Sequence, residues 1–195
     1  MTLLELVITM AMFTLIVSGI TLVWHYTQTA YFQGAEAAEL QQTTRVALEQ
    51  MVREIRQAGY DPCRYSGACP SAFHPTKPGI YPIQAFSASS LWVQADRNGN
   101  GTISTGTTES ESVCFYRDGS GVVRRKTTGD DCASGGDELA RDVTALTFSY
   151  FKADGTAAAS WDQIRLVRIG LTAQRTVDGQ PLTFALRTDV LLRDR

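Results

Sequence analysis

The opening residues Met1-Thr2-Leu3-Leu4-Glu5 place one carboxylate at the mouth of a nineteen-residue run, residues 6–24, that has no charge and no proline. The first cation of the chain is Arg45. A charged side chain deep in hydrocarbon costs roughly 2.5–3.5 kcal/mol on insertion scales, so a carboxylate kept there calls for a partner. Two chemistries are open to it. Thr2-Leu3-Leu4-Glu5 is an S/T-x-x-E capping box, in which Thr2 caps the amide at Glu5 and Glu5 reaches back to the amide at Thr2. The negative charge also suits a helix N-terminus. The cap explains a helix start but not why that start coincides with bare hydrocarbon, so a cation on another chain is the second expectation.

Asp96-Arg97-Asn98-Gly99-Asn100-Gly101 reads D-x-N-x-N-G, the first half of a calcium loop, with oxygens at alternate positions and glycine at the sharp turn. The candidate ligands are Asp96, Asn98, Asn100 and Thr102. The closing carboxylate would fall at Thr107, and the nearest ones are Glu109, taken here as the candidate, and Glu111. A polar Asn-Gly hairpin turn accounts for the same residues, and no second helix follows as it would in an EF-hand. Ca2+ is the one candidate cofactor.

Cys63, Cys69, Cys114 and Cys132 admit three pairings. Spacings of C-x5-C and C-x17-C do not fit the close knuckles of structural zinc. Disulfides Cys63–Cys69 and Cys114–Cys132, formed in an oxidising exported compartment, are the expectation. An enzyme is not expected. His25 and His74 are the only histidines, and no nucleophile elbow, phosphate loop or dinucleotide fingerprint is present. Asp130, Asp131, Asp137 and Glu138 read as a solvated acidic turn, and Arg124-Arg125-Lys126 as a solvated strand end. With a net charge of −2 over 195 residues, nucleic acid is not an expected partner.

One long helix must carry Glu5. Nothing breaks the chain over residues 2–58, where the only glycines before the end are Gly19 and Gly34. The nineteen apolar residues span about 28 Å, close to the hydrocarbon thickness, and Trp24, Tyr26 and Tyr31 stand where an interfacial belt belongs. No basic region precedes the run and no small-residue cleavage site follows it, so it is retained rather than cleaved as a signal peptide. Further on, Leu40, Ala47, Leu48, Met51, Val52 and Ile55 recur every three to four residues among charges, an amphipathic pattern with one buried face. The units are therefore 1–27, a transmembrane or filament-core helix; 28–58, its amphipathic continuation; and 59–195, a head. Gly59 and Pro62 end the helix, and a loop with four prolines covers 63–82. Strands follow at 90–95, 112–117, 122–126, 143–152, 163–174 and 182–192. The last three alternate with period two, placing Leu146, Phe148 and Tyr150, or Phe184, Leu186, Thr188 and Val190, on single faces. Their short connections demand antiparallel pairing. The fold class is α+β, a long helix whose second half covers an antiparallel sheet.

The N-terminus resembles the type IV pilin superfamily, whose mature chains begin F-T-L-x-E before about twenty apolar residues; Thr2, Leu3 and Glu5 match, and Met1 stands where Phe is usual. The resemblance implies a short basic leader removed by prepilin peptidase, a methylated amine at Met1, and Glu5 paired with the N-terminal amine of a neighbouring subunit. The helix end R-E-I-R-Q-A-G-Y and the closing strands are similar to PilW-like minor pilins and the related J-type pseudopilins of type II secretion. Major pilins usually carry proline near position 22, where this chain has Leu22. The implied role is a minor pilin that primes or joins a pilus tip. Its implied partners are other minor pilins, the major pilin, the inner-membrane assembly platform and a tip adhesin. It would lie in the inner membrane before assembly, and in the periplasm and the extracellular pilus after it. A J-type pseudopilin is the nearest alternative, and a membrane-tethered periplasmic binding or enzymatic domain the alternative of another class.

Overall fold

In the computed structural model, residues 2–63, 71–73, 81–105, 110–128 and 132–192 are described. Helix α1, Leu3–Arg56, runs unbroken for 54 residues, about 80 Å. Its apolar first half contains several hydroxyls. Thr9, Thr14, Ser18 and Thr21 each donate to a carbonyl one turn earlier, so no hydroxyl there needs water or a second chain. The helix ends through Gln57, in αR geometry. Gly59 at φ +78° then turns the chain away, its N–H donating to Gln94 O at 2.8 Å. A left-handed residue at this place is what glycine supplies at least cost.

The strands form two sheets. The five-stranded meander is β1 (Ile83–Phe86), β2 (Ser90–Gln94), β3 (Ser112–Arg117), β4 (Val123–Lys126) and β5 (Asp137–Ala140), in that spatial order. The second sheet is β6 (Val143–Phe151), β7 (Leu166–Val177) and β8 (Gln180–Leu191), also in sequence order. All pairings are antiparallel, as the short connections require. The break between sheets falls at Arg141-Asp142, where Asp142 takes φ +57°, a left-handed conformation that stops the ladder.

The amphipathic half of α1 lies on β5, β7 and β8. Leu40, Thr44, Ala47, Leu48, Met51 and Ile55 are its buried residues, the face expected from the spacing, with Val52 half-buried beside them. Ala47, Leu48, Met51 and Ile55 meet Phe115 of β3 and Val167, Ile169 and Leu171 of β7 in one core. The period-two readings hold: Leu146 and Phe148 are buried in β6, and Phe184, Leu186, Thr188 and Val190 face inward in β8. The Cys114–Cys132 disulfide is present, with Cα atoms 5.7 Å apart. Cys63 is also disulfide-bonded, and Cys69 lies outside the described residues.

Two readings of charge are corrected. Asp137 and Glu138 are solvent-exposed, as expected, but do not form a turn: they open β5 opposite Arg125 and Arg124, where cross-strand charge pairing favours the strand. Nor is Arg124-Arg125-Lys126 a solvated strand end, because β4 runs between β3 and β5 and the three side chains are half-buried. The approach to β5 is tight. Gly136 sits at φ +90°, and a Cβ there would lie 2.5 Å from Arg125 O. Gly136→Ala is therefore expected to lower unfolding free energy by about 1–3 kcal/mol, read by urea denaturation.

Candidate assembly site

At the start of α1 the capping box is formed. Thr2 N donates to Glu5 Oε2 at 3.2 Å, and Glu5 N donates to Thr2 Oγ1 at 3.4 Å. Only one carboxylate oxygen is used. Oε1 has no partner among the described residues, so the cap leaves the charge available to a second group. Met1 lies outside the described residues. Around the cap every side chain of residues 2–32 is exposed, including Leu3, Phe13, Leu15 and Leu22. This is the one helix among the described residues long and apolar enough to cross a membrane. Left in water, so much apolar surface would cost on the order of tens of kcal/mol at 1.5–3 kcal/mol per side chain. A bilayer or the apolar helices of other subunits must cover it. Trp24, Tyr26 and Tyr31 close the run on its head side, all exposed, as an interfacial belt requires.

The head grips the helix at both ends of its amphipathic half. Arg175 of β7 donates from Nη1 to Glu36 at 2.5 Å and from Nε to Asp142 at 2.8 Å, with Glu39 3.5 Å away. The hydrogen bonds it donates to Asp142 and Glu36 raise the Arg175 pKa further, so the clamp keeps its cation at every working pH. At the other end, Arg125 Nε donates to Glu54 Oε1 at 2.7 Å. These anchors were missed in the sequence because their members lie 139 and 71 residues apart. The one local hint was the Arg124-Arg125-Lys126 run.

Asp96, Asn98, Asn100 and Thr102 do converge in one turn, with Gly99 and Gly101 at φ +75° and +73°. Asp96 is buried and accepts from Gly99 N at 2.7 Å and Gly101 N at 2.9 Å. Asn98 Oδ1 accepts from Asn100 N, and Asn100 Oδ1 from Thr102 N and Thr102 Oγ1. Glu109 lies outside the described residues. Glu111, buried, closes the loop by accepting from the amides of Arg97, Asn98 and Ser104. Among the described residues no three His, Cys, Asp or Glu side chains gather closely enough to hold a metal, so an ion would depend on amide and backbone oxygens beside Asp96.

A second carboxylate organises the start of the proline-rich loop. Asp61 accepts from Ser71 Oγ, Cys63 N, Ala72 N and Phe73 N. Burial pushes its pKa up, but hydrogen bonds from Ser71, Phe73, Cys63 and Ala72 outweigh that and hold it below the ordinary value. A depressed native pKa gives stability that is complete above the unfolded value of about 3.9 and is lost as pH falls through the native one. Melting temperature should therefore drop below about pH 4, and Asp61→Asn should flatten that drop.

The family described as PpdB, prepilin peptidase-dependent protein B, matches this chain over residues 33–192. Searches of curated proteins and of solved structures give no significant match. The match begins beyond Thr2 and Glu5 and covers the amphipathic half of α1 and nearly all of the head, so it is independent of the N-terminal motif. By that match the chain belongs to the prepilin peptidase-dependent protein B family, a pilin-like family.

Proposed function

We propose that this chain is a minor pilin, a non-enzymatic subunit that enters a type IV pilus through its N-terminal helix and helps prime the pilus tip. The observation that supports this most is the join of two features. A head of a pilin-like family holds, by Arg175 and Arg125, a helix whose first thirty residues bury nothing within the chain. In the inner membrane that helix is covered by lipid; in the fibre it is covered by neighbouring helices, with Glu5 neutralised by a neighbour's N-terminal amine. Processing by prepilin peptidase, an inner-membrane assembly platform, other minor pilins, the major pilin and a tip adhesin are the partners this role needs. The test is to shear cells that express a head-tagged chain and to probe the fibre fraction. Recovery with sheared fibres supports the minor pilin. Retention in the envelope, with loss of secretion on deletion, supports the J-type pseudopilin instead, and a ligand-binding or catalytic activity complete in the head alone would overturn both.

A calcium ion at the Asp96 turn is a second proposal, supported by the alternating oxygens of Asp96, Asn98 and Asn100 on one glycine-wrapped turn. Millimolar calcium should raise the melting temperature relative to EDTA. An unchanged value removes the metal.

A further inference from the structure

Strand β8 is the edge of its sheet and is twelve residues long, about twice the usual strand length. Its partner β7 buries Val167, Ile169, Leu171 and Ala173 completely. Of their partners on β8, Val190 is buried, but Thr188, Leu186 and Phe184 are only half-buried. The core is thus open on the β8 side. Among the described residues, only β7 pairs with the β8 backbone, and a long edge left in this way is a template for another strand.

Beside that edge lies a cleft of about 460 Å³ between Thr188 and the last turns of α1, with Leu48 and Val52 among its apolar lining. Arg53 and Arg56 line it, and Arg45 lines its continuation along the helix. Arg45 and Arg56 are about three turns apart and so share a face. None of the three has an ion pair or a hydrogen-bonding partner among the described residues, whereas Arg124, Arg125, Arg141, Arg168 and Arg175 are all paired to carboxylates. Among the described residues Glu49 is the single acid in the groove, leaving it cationic.

We propose that the β8 edge and the arginine-lined cleft beside it dock an extended strand from a different polypeptide, whose cleft-facing side chains, at every second residue, are in turn acidic and apolar. Such a strand would extend the sheet by backbone hydrogen bonds, lay its apolar side chains over Leu48, Val52 and Phe184, and set its carboxylates on Arg53 and Arg56. Main-chain pairing would give affinity and the alternate side chains specificity. This docking is carried by the head and does not depend on Glu5 or on which assembly the chain joins.

The test uses the full chain in nanodiscs and a fluorescein-labelled twelve-residue peptide with Glu and Val in turn at every second position and Thr between them, followed by anisotropy. The acidic peptide should bind. Its Lys-for-Glu counterpart should not, and a version with prolines at alternate positions should lose binding, because it cannot complete a ladder. The double variant Arg53→Glu, Arg56→Glu should weaken binding by about tenfold or more. Both side chains are exposed, so an unchanged circular dichroism spectrum would confirm that the fold persists. No binding of the acidic peptide, equal binding of the proline version, or equal binding by the double variant would each overturn the proposal. So would dimerisation of the chain that the double variant abolishes, since that would assign the edge to a second copy.

Discussion

Glu5→Gln abolishes entry of the chain into its assembly and leaves the melting temperature of the head unchanged. The substitution separates two roles that share one side chain. Glutamine keeps an oxygen for Thr2 N and is itself a capping-box residue, so the bond seen between Thr2 N and Glu5 Oε2 survives. The lost helix-dipole term is worth about 0.3–1 kcal/mol at most for an exposed end. The first helix residue buried against the head is Leu40, so the fold of the head does not sense position five. Only the charge is gone, and with it the proposed pairing to a neighbour's amine. The converse variant, Thr2→Val, removes the hydroxyl cap and keeps the carboxylate, and should still assemble. Normal incorporation of Glu5→Gln, measured as tagged subunit in the sheared fraction, would reduce Glu5 to a helix cap.

Ile55→Ala lowers unfolding free energy by about 2–5 kcal/mol, the range for truncating a buried Ile, Leu or Met. Ile55 has no exposed surface and sits in the core with Met51 and Ala58, at the point where the rod is bolted to the head. A loss of that size removes much of a typical domain's margin. Val46→Ala on the same helix is the control. Val46 is 54% exposed, and its truncation should change stability by no more than about 0.5 kcal/mol. Urea denaturation of both variants checks the pair. A change below about 1 kcal/mol for Ile55→Ala would mean the second half of α1 is not part of the core.

The long helix, its change of character near residue 36, the inward faces of β6, β7 and β8 and the capping box were all legible, because each rests on a local pattern of period two, period 3.6 or a four-residue motif. The division into two sheets was not. It depends on a left-handed turn at Asp142, a residue with no turn dipeptide around it. Strands β1 (IQAF) and β5 (DELA) were hidden by length: four residues show no periodicity, and the acids of β5 look like loop until the facing arginines of β4 are in place. The helix clamp at Arg175 was invisible for a different reason, since it joins parts of the chain that only the fold brings together. At the Asp96 turn the alternating oxygens were found, while the role of Glu111, holding three backbone amides, follows from the β3 register and not from the motif. Thr2 and Glu5 could be read at once, but the partner proposed for Glu5 belongs to another molecule and leaves no trace in this sequence.

The exposed helix is the feature on which the assembly role stands, and its surroundings in the cell can be measured. A photo-crosslinking benzoylphenylalanine in place of Phe13, which is 69% exposed and far from the head, reports what covers the rod. Irradiation should give adducts to other pilin-like subunits, recovered with fibres and lost in the Glu5→Gln background. Adducts to lipid alone, with the head folded and the chain abundant, would contradict it and leave the helix a membrane anchor.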